Sequence, residues 1–167
     1  GSRSTKPMFT RRIGIAKDTT TNQYVQNPII YGAKLAGKLN EGLRIGILNM
    51  QTARLKSSGI PSFNYGMAVL EKNILTNSKI LAFLVNKEAI FNPTEDSYSI
   101  NLNHFNRVFG FESKIKSKDT RWNSELYYHQ SLENQKHKDR SSYGANFTYK
   151  SPKFQATTYF RAVVENY

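Results

Sequence analysis

The sequence predicts an all-β fold, an antiparallel meander forming all or part of a transmembrane outer-membrane β-barrel. From Arg11 onward, stretches of roughly ten residues alternate apolar or aromatic side chains with Gly, Ser, Asn, Thr, Lys or Arg, and each ends in a turn, as strands with one apolar and one wetted face require. The hydrophobic share is 38% while aromatic residues reach 13%, a balance suited to strands of which only one face meets an apolar medium. No run approaches the roughly eighteen to twenty apolar residues of a membrane helix, which excludes helical spanning and says nothing against a barrel.

Residues 7–15, with Arg11 and Arg12 near the centre, read as a first strand, and 17–27 as a polar loop. Residues 29–39 put Ile29, Tyr31, Ala33, Leu35 and Leu39 on one face against Gly32, Lys34, Ala36 and Lys38. Asn40-Glu41-Gly42 is a hairpin connection whose Asn and Gly suit positive φ. In the return strand, 43–52, the alternation slips at Leu48-Asn49-Met50, as at a bulge. After a polar connection over 53–63, residues 64–73 read as a strand, although the continuous apolar run Met67-Ala68-Val69-Leu70 also suits a helix start.

Residues 79–89 form the next strand, before a loop at 91–97. Residues 103–116 set Phe105, Phe109, Phe111 and Ile115 against His104, Asn106, Gly110, Glu112 and Lys114. Residues 121–131 set Trp122, Leu126 and Tyr128 against Asn123, Glu125, Tyr127 and His129. A charged loop over 132–140 leads to 142–150, where Tyr143, Ala145, Phe147 and Tyr149 share one face, and the turn 151–153 delivers a last strand, 154–167.

Short turns at 39–42, 76–78, 117–120 and 151–153 alternate with longer connections, the asymmetry of outer-membrane barrels, whose tight turns lie on the periplasmic side. The count is about nine strands, and bacterial barrels close on even numbers. The expectation is therefore either a piece of a larger barrel or an eight-stranded barrel with 7–15 as a plug or lead-in. The whole of 1–167 reads as a single barrel domain or barrel fragment, with 1–16 as lead-in or first strand. The N-terminal residues lack the apolar core of a signal peptide, so an export signal has been removed or the chain is an internal piece.

The formal charge is +12 and there is no cysteine. The latter removes disulfides, thiolate metal sites and cysteine nucleophiles. A basic chain rich in Tyr and Phe also suits a soluble β-domain that binds nucleic acid, but here Lys and Arg are spread along the chain rather than gathered in a block. The expected partners are membrane lipid and lipopolysaccharide, with other outer-membrane proteins, rather than nucleic acid.

Four cations opposite the aromatic faces, Lys34, Lys38, Arg44 and Lys114, are assigned to a wetted lumen. Tyr31, Phe109, Trp122, Tyr143, Phe147, Tyr149 and Phe160 are assigned to the lipid face or its aromatic girdles; the competing assignment is the inner face of a soluble β-sandwich. His104, His129 and His137 lack metal-site spacing. Glu88, Glu95 and Asp96 read as solvated loop acids, and Glu112 and Glu125 as salt-bridge partners rather than a hydrolytic pair. Arg11 and Arg12 face opposite ways on a strand, and read as a structural ion pair ahead of an anion site. No catalytic, metal or cofactor set is assigned, and no enzyme activity is expected.

Phe9-Thr10-Arg11-Arg12-Ile13-Gly14, Tyr31-Gly32-Ala33-Lys34-Leu35-Ala36-Gly37-Lys38 and Gly42-Leu43-Arg44-Ile45-Gly46-Ile47-Leu48-Asn49-Met50-Gln51-Thr52 together resemble the C-terminal barrel domain of Gram-negative surface proteins that carry an N-terminal module similar to family 9 carbohydrate-binding domains. In that family an S/T-R-R-I-G segment, an A-K-(L/I)-x-G-K strand and a G-L-L-N-x-Q-T strand follow in this order, and Asn106-Arg107-Val108-Phe109-Gly110 is similar to a later strand. The resemblance covers mainly the first third, and no carbohydrate-binding module is present in these residues. It implies the outer membrane of a Gram-negative bacterium and a protein that handles glycans or other nutrients. The function expected is a structural anchor or a pore with a basic lumen; the alternative is a carbohydrate-binding or glycan hydrolase-associated protein whose active module lies outside this chain.

Overall fold

The computed structural model describes residues 14–18, 21–90, 105–133 and 140–165. The assignments made for Arg11, Arg12, Glu95, Asp96, His104 and His137 lie outside them.

Two short strands, β1 (Ile15–Lys17) and β2 (Tyr24–Gln26), pair with each other. Eight long ones follow: β3 (Ile29–Asn40), β4 (Leu43–Thr52), β5 (Ser62–Leu75), β6 (Ser78–Ile90), β7 (Phe105–Lys116), β8 (Trp122–Glu133), β9 (Arg140–Lys150) and β10 (Gln155–Glu165). Each pairs antiparallel with its sequence neighbours, giving one eight-stranded meander from β3 to β10. The sheet is open: β3 pairs only with β4 and β10 only with β9, so the expected closure into a barrel is not formed among these residues.

Hairpins β3–β4, β5–β6, β7–β8 and β9–β10 turn tightly at one end, and the connections β4–β5, β6–β7 and β8–β9 lie at the other. At the first turn Gly42 donates its N–H to Asn40 Oδ1 at 2.9 Å. Neither residue has positive φ; among described residues that conformation belongs to Gly14, Asn22, Gly59 and Thr120. An Asn side chain accepting a backbone N–H, not a left-handed backbone, holds this turn. In the β7–β8 turn the Ser117 hydroxyl and the Arg121 N–H both donate to Asp119. These bonds, with the Arg121 guanidinium beside it, hold the Asp119 carboxyl below its ordinary range.

Several expectations are corrected. The stretch 17–27 is not all loop, because Tyr24–Gln26 pairs with β1. No bulge occurs at Leu48-Asn49-Met50: these residues run in register with Lys34, Ala33 and Gly32. The polarity of the faces changes there instead. Leu48 and Met50 meet Met67 and Tyr65 across the strand, while Asn49 exchanges amide hydrogen bonds with Asn64 at 3.1 and 3.2 Å. The irregularities fall beside Ile30, Leu39 and Ile74.

Met67-Ala68-Val69-Leu70 is strand, not helix. Its partners Phe83 and Val85 lie on one face and Ala82 and Leu84 on the other, so both faces of β5 and β6 are apolar there and no alternation shows. The connection after Thr52 is compact, with a 3-10 turn at Lys56–Ser58 and a Leu55–Ile60 bridge. Thr52 is fully buried: its hydroxyl oxygen accepts from Asn27 Nδ2 and from the Phe63 N–H, each at 3.1 Å. Leu132, Glu133 and Arg140, expected in a loop, belong to β8 and β9.

Candidate functional site

Strand pairing sorts the side chains into two faces. One transverse row runs Lys38, Arg44, Glu71, Leu81, Glu112, Tyr127, Gly144, Arg161, and a neighbouring one runs Lys79, Lys114, Glu125, Asn146, Tyr159. On the opposite face a row runs Ile45, Leu70, Ala82, Phe111, Tyr128, Tyr143, Ala162. The four predicted cations, Lys34, Lys38, Arg44 and Lys114, all fall on the first, charged face. The seven predicted aromatics all fall on the second.

The aromatic face is bare. Phe109, Phe111, Trp122, Tyr128, Tyr143, Phe147 and Phe160 are between 38% and 59% exposed. At about 200 Å² per ring, these seven alone leave on the order of 600 Å² uncovered, and Leu35, Ile47, Leu70 and Leu84 enlarge the area further. Soluble monomers rarely leave contiguous apolar patches beyond a few hundred Å². Trp122, Tyr149 and Phe154 cluster at the turn end, with centroids 4.7 and 5.4 Å apart.

Toward the other end the same face becomes polar within one residue pair. Ile47 gives way to Asn49, Leu84 to Asn86 and Phe109 to Arg107. Tyr31 donates to Asn49 Oδ1 at 2.9 Å, and Arg107 donates to Asn86 Oδ1 at 3.0 Å with Glu88 at 3.7 Å.

No protein family, curated protein or solved structure matches this chain.

The charged face is more crowded and is held by ion pairs that the sequence reading only partly foresaw. Glu71 sits between Lys79 at 2.8 Å and Arg44 at 3.8 Å; Glu125 meets Lys114 at 3.1 Å; Glu112 Oε1 lies 3.0 Å from His129 Nε2. Glu112 and Glu125 are thus engaged by separate partners, as expected of structural pairs. Arg121, expected beside them, instead meets Asp119 at 3.6 Å. Such partly exposed pairs each contribute about 1 kcal/mol or less, so they fix geometry more than they stabilise. No group of three or more His, Cys, Asp or Glu with metal-site geometry occurs among the described residues.

Three residues on this face escaped the sequence reading. Phe83, 5% exposed, lies over Gly110 and contacts the His129 ring edge-on, with centroids 5.2 Å apart. Lys87 sits 4.4 Å from the Phe63 ring centroid, a cation–π contact. Glu71, the hub between two cations, is recognisable only once the register of β4, β5 and β6 is known.

Proposed function

We propose that this chain is the membrane-embedded domain of a Gram-negative outer-membrane protein, a β-barrel wall that anchors the protein among lipid and lipopolysaccharide. The observation that carries the reading is the bare aromatic face running across all eight long strands, with polar groups on the other face. Lipid is the medium that satisfies that pattern, because strands of 10 to 14 residues meet the about 9 to 11 that a tilted membrane strand needs. In this reading Tyr31, Phe109, Trp122, Tyr143, Phe147, Tyr149 and Phe160 face acyl chains or headgroups, and the short turns face the periplasm. The resemblance of residues 9–14, 31–38 and 42–52 to the barrel-domain motifs of Gram-negative surface proteins supports the same location.

Lys34, Lys38, Arg44 and Lys114 line the inner wall. Arg44 and Lys114 have carboxylate partners, so of these four Lys34 and Lys38 carry the attraction for anions. Phe83, Val85, Met67 and Leu48 crowd the wall's middle, which favours a filled anchor over a wide channel.

Extraction and gel migration test the reading. The protein should leave membranes only with detergent, and its folded form should migrate differently from the heated one. A monodisperse, folded protein in plain buffer overturns it.

A further inference from the structure

We infer that β10 is the partner of the free β3 edge, and that the two join with a stagger of about eight residues into an eight-stranded barrel filled by its own side chains. This inference rests on the membrane reading above, and barrel geometry fixes its register. Eight strands about 4.8 Å apart and tilted by about 35 to 45° displace the returning edge by roughly 27 to 38 Å along the strand, or about 8 to 11 residues at about 3.4 Å each. Only even staggers match the faces, because a slip of one residue would set Lys34 and Lys38 against the aromatic band. Staggers of about eight and about ten remain.

The strands choose between the two. The transverse row that starts at Lys38 ends at Arg161, so an unstaggered seam would set these two opposite each other. A stagger toward the turn end carries all of β10 past Asn40, the last residue of β3, and leaves nothing to pair. Toward the loop end, the smaller stagger pairs residues 155–162 with 29–36, and the larger only 155–160 with 29–34. Beyond Ile29 the edge is taken: Asn27 donates to the Gly14 carbonyl at 2.8 Å, and β1 covers β2 from there on. The larger stagger therefore drives residues 161–165 against β1, whereas the smaller sends only 163–165 there. The smaller keeps more backbone groups paired, and unpaired ones are what lipid tolerates least. The interior fits the same closure. A barrel of eight strands is just wide enough for side chains to fill, and Leu48, Met67, Phe83 and Val85 already stand on the inner face. In this register Tyr159, 77% exposed in the open sheet, lies opposite Gly32 and gains the cover of a neighbouring strand.

The chain contains no cysteine, so a pair of introduced thiols reports the seam. Ala33 lies on the outer face of β3, and Ala156, Thr158 and Phe160 lie on that of β10; all are exposed. In lipid vesicles, a methanethiosulfonate linker spanning about 5 Å, the separation of directly opposed Cβ atoms, should join Ala33→Cys to Thr158→Cys within one chain. The yield should exceed that with Ala156→Cys or Phe160→Cys several-fold. Preferential joining to either of those two, joining between two chains, or no joining with any of the three overturns the inference. The membrane reading survives these outcomes as long as the same variants leave the vesicles only with detergent. Release into plain buffer removes that reading, and the inference with it. Should Ala33→Cys not fold, Leu35→Cys must join Ala156→Cys in preference to Thr158→Cys, and equal or reversed yields count against the register.

Discussion

Gly110 and Gly144 are the positions where a single methyl group decides the packing of the charged face. A Cβ at Gly110 would stand 2.5 Å from the Phe83 ring and 2.6 Å from His129 Cδ2; at Gly144 it would stand 2.6 Å from the Tyr127 ring and 2.7 Å from the Phe160 carbonyl oxygen. Neither glycine has positive φ, so the requirement is space, not backbone conformation. The rings have nowhere to retreat cheaply, because Phe83 is almost fully buried and His129 is tied to Glu112. Gly110→Ala should therefore destabilise the protein by about 1 to 3 kcal/mol, the usual cost of overpacking. Gly37→Ala is the control: nothing lies within 4 Å of its Cβ position, and its effect should stay within about 0.5 kcal/mol. Urea unfolding in detergent reads both, and equal midpoints for the two variants would show that Phe83 does not occupy the space over Gly110.

At the scale of the strand, the depth of a residue on the aromatic face should set what a charge costs there. Phe111 lies mid-band beside Ala82 and Tyr128, whereas Asn49 lies on the polar rim of the same face. If lipid covers the band, Phe111→Arg should cost about 2 to 4 kcal/mol in vesicles and Asn49→Arg about 0 to 1 kcal/mol. If water covers it, both are surface changes within about 0.5 kcal/mol; equal small costs would refute lipid contact. The face assignments behind this prediction were legible wherever one face is apolar and the other polar, as in Trp122 to Tyr128 and Tyr143 to Tyr149. Legibility failed where that contrast vanished. Leu81, Phe83 and Val85 put apolar bulk opposite Ile80, Ala82 and Leu84, so β5 and β6 lost their period; Tyr24-Val25-Gln26 is too short to show one. The ion pairs stayed hidden for another reason. Glu71 meets Arg44 and Lys79 through cross-strand register, which no single strand encodes.

For the whole molecule the decisive feature is the pair of free edges. Every residue of β3 is exposed, and β10 has no neighbour beyond β9. Their unpaired N–H and C=O groups would each cost several kcal/mol in hydrocarbon, where no water can replace the missing partner. A membrane domain must therefore close, by joining β3 to β10 or by adding strands between them. The directions allow the first route: β3 runs toward the turn end and β10 away from it, so the two would meet antiparallel, as a meander with an even number of strands requires. The hairpin β1–β2 already approaches this edge. Asn27 donates to the Gly14 carbonyl at 2.8 Å, while the next carbonyl, that of Pro28, accepts from Ala53 at 2.7 Å. Adjacent residues of an extended chain bond to opposite sides, so β1 lies on the side of the chain away from β4. Amide hydrogen exchange in detergent micelles follows closure strand by strand. Protection along Ile29–Asn40 and Gln155–Glu165 should match that along Ser78–Ile90, because pairing on both sides leaves no amide open to water. Rapid exchange at alternate residues of β3 and β10 alone would mean that the edges stay free, and an open sheet of this kind cannot reside in a bilayer.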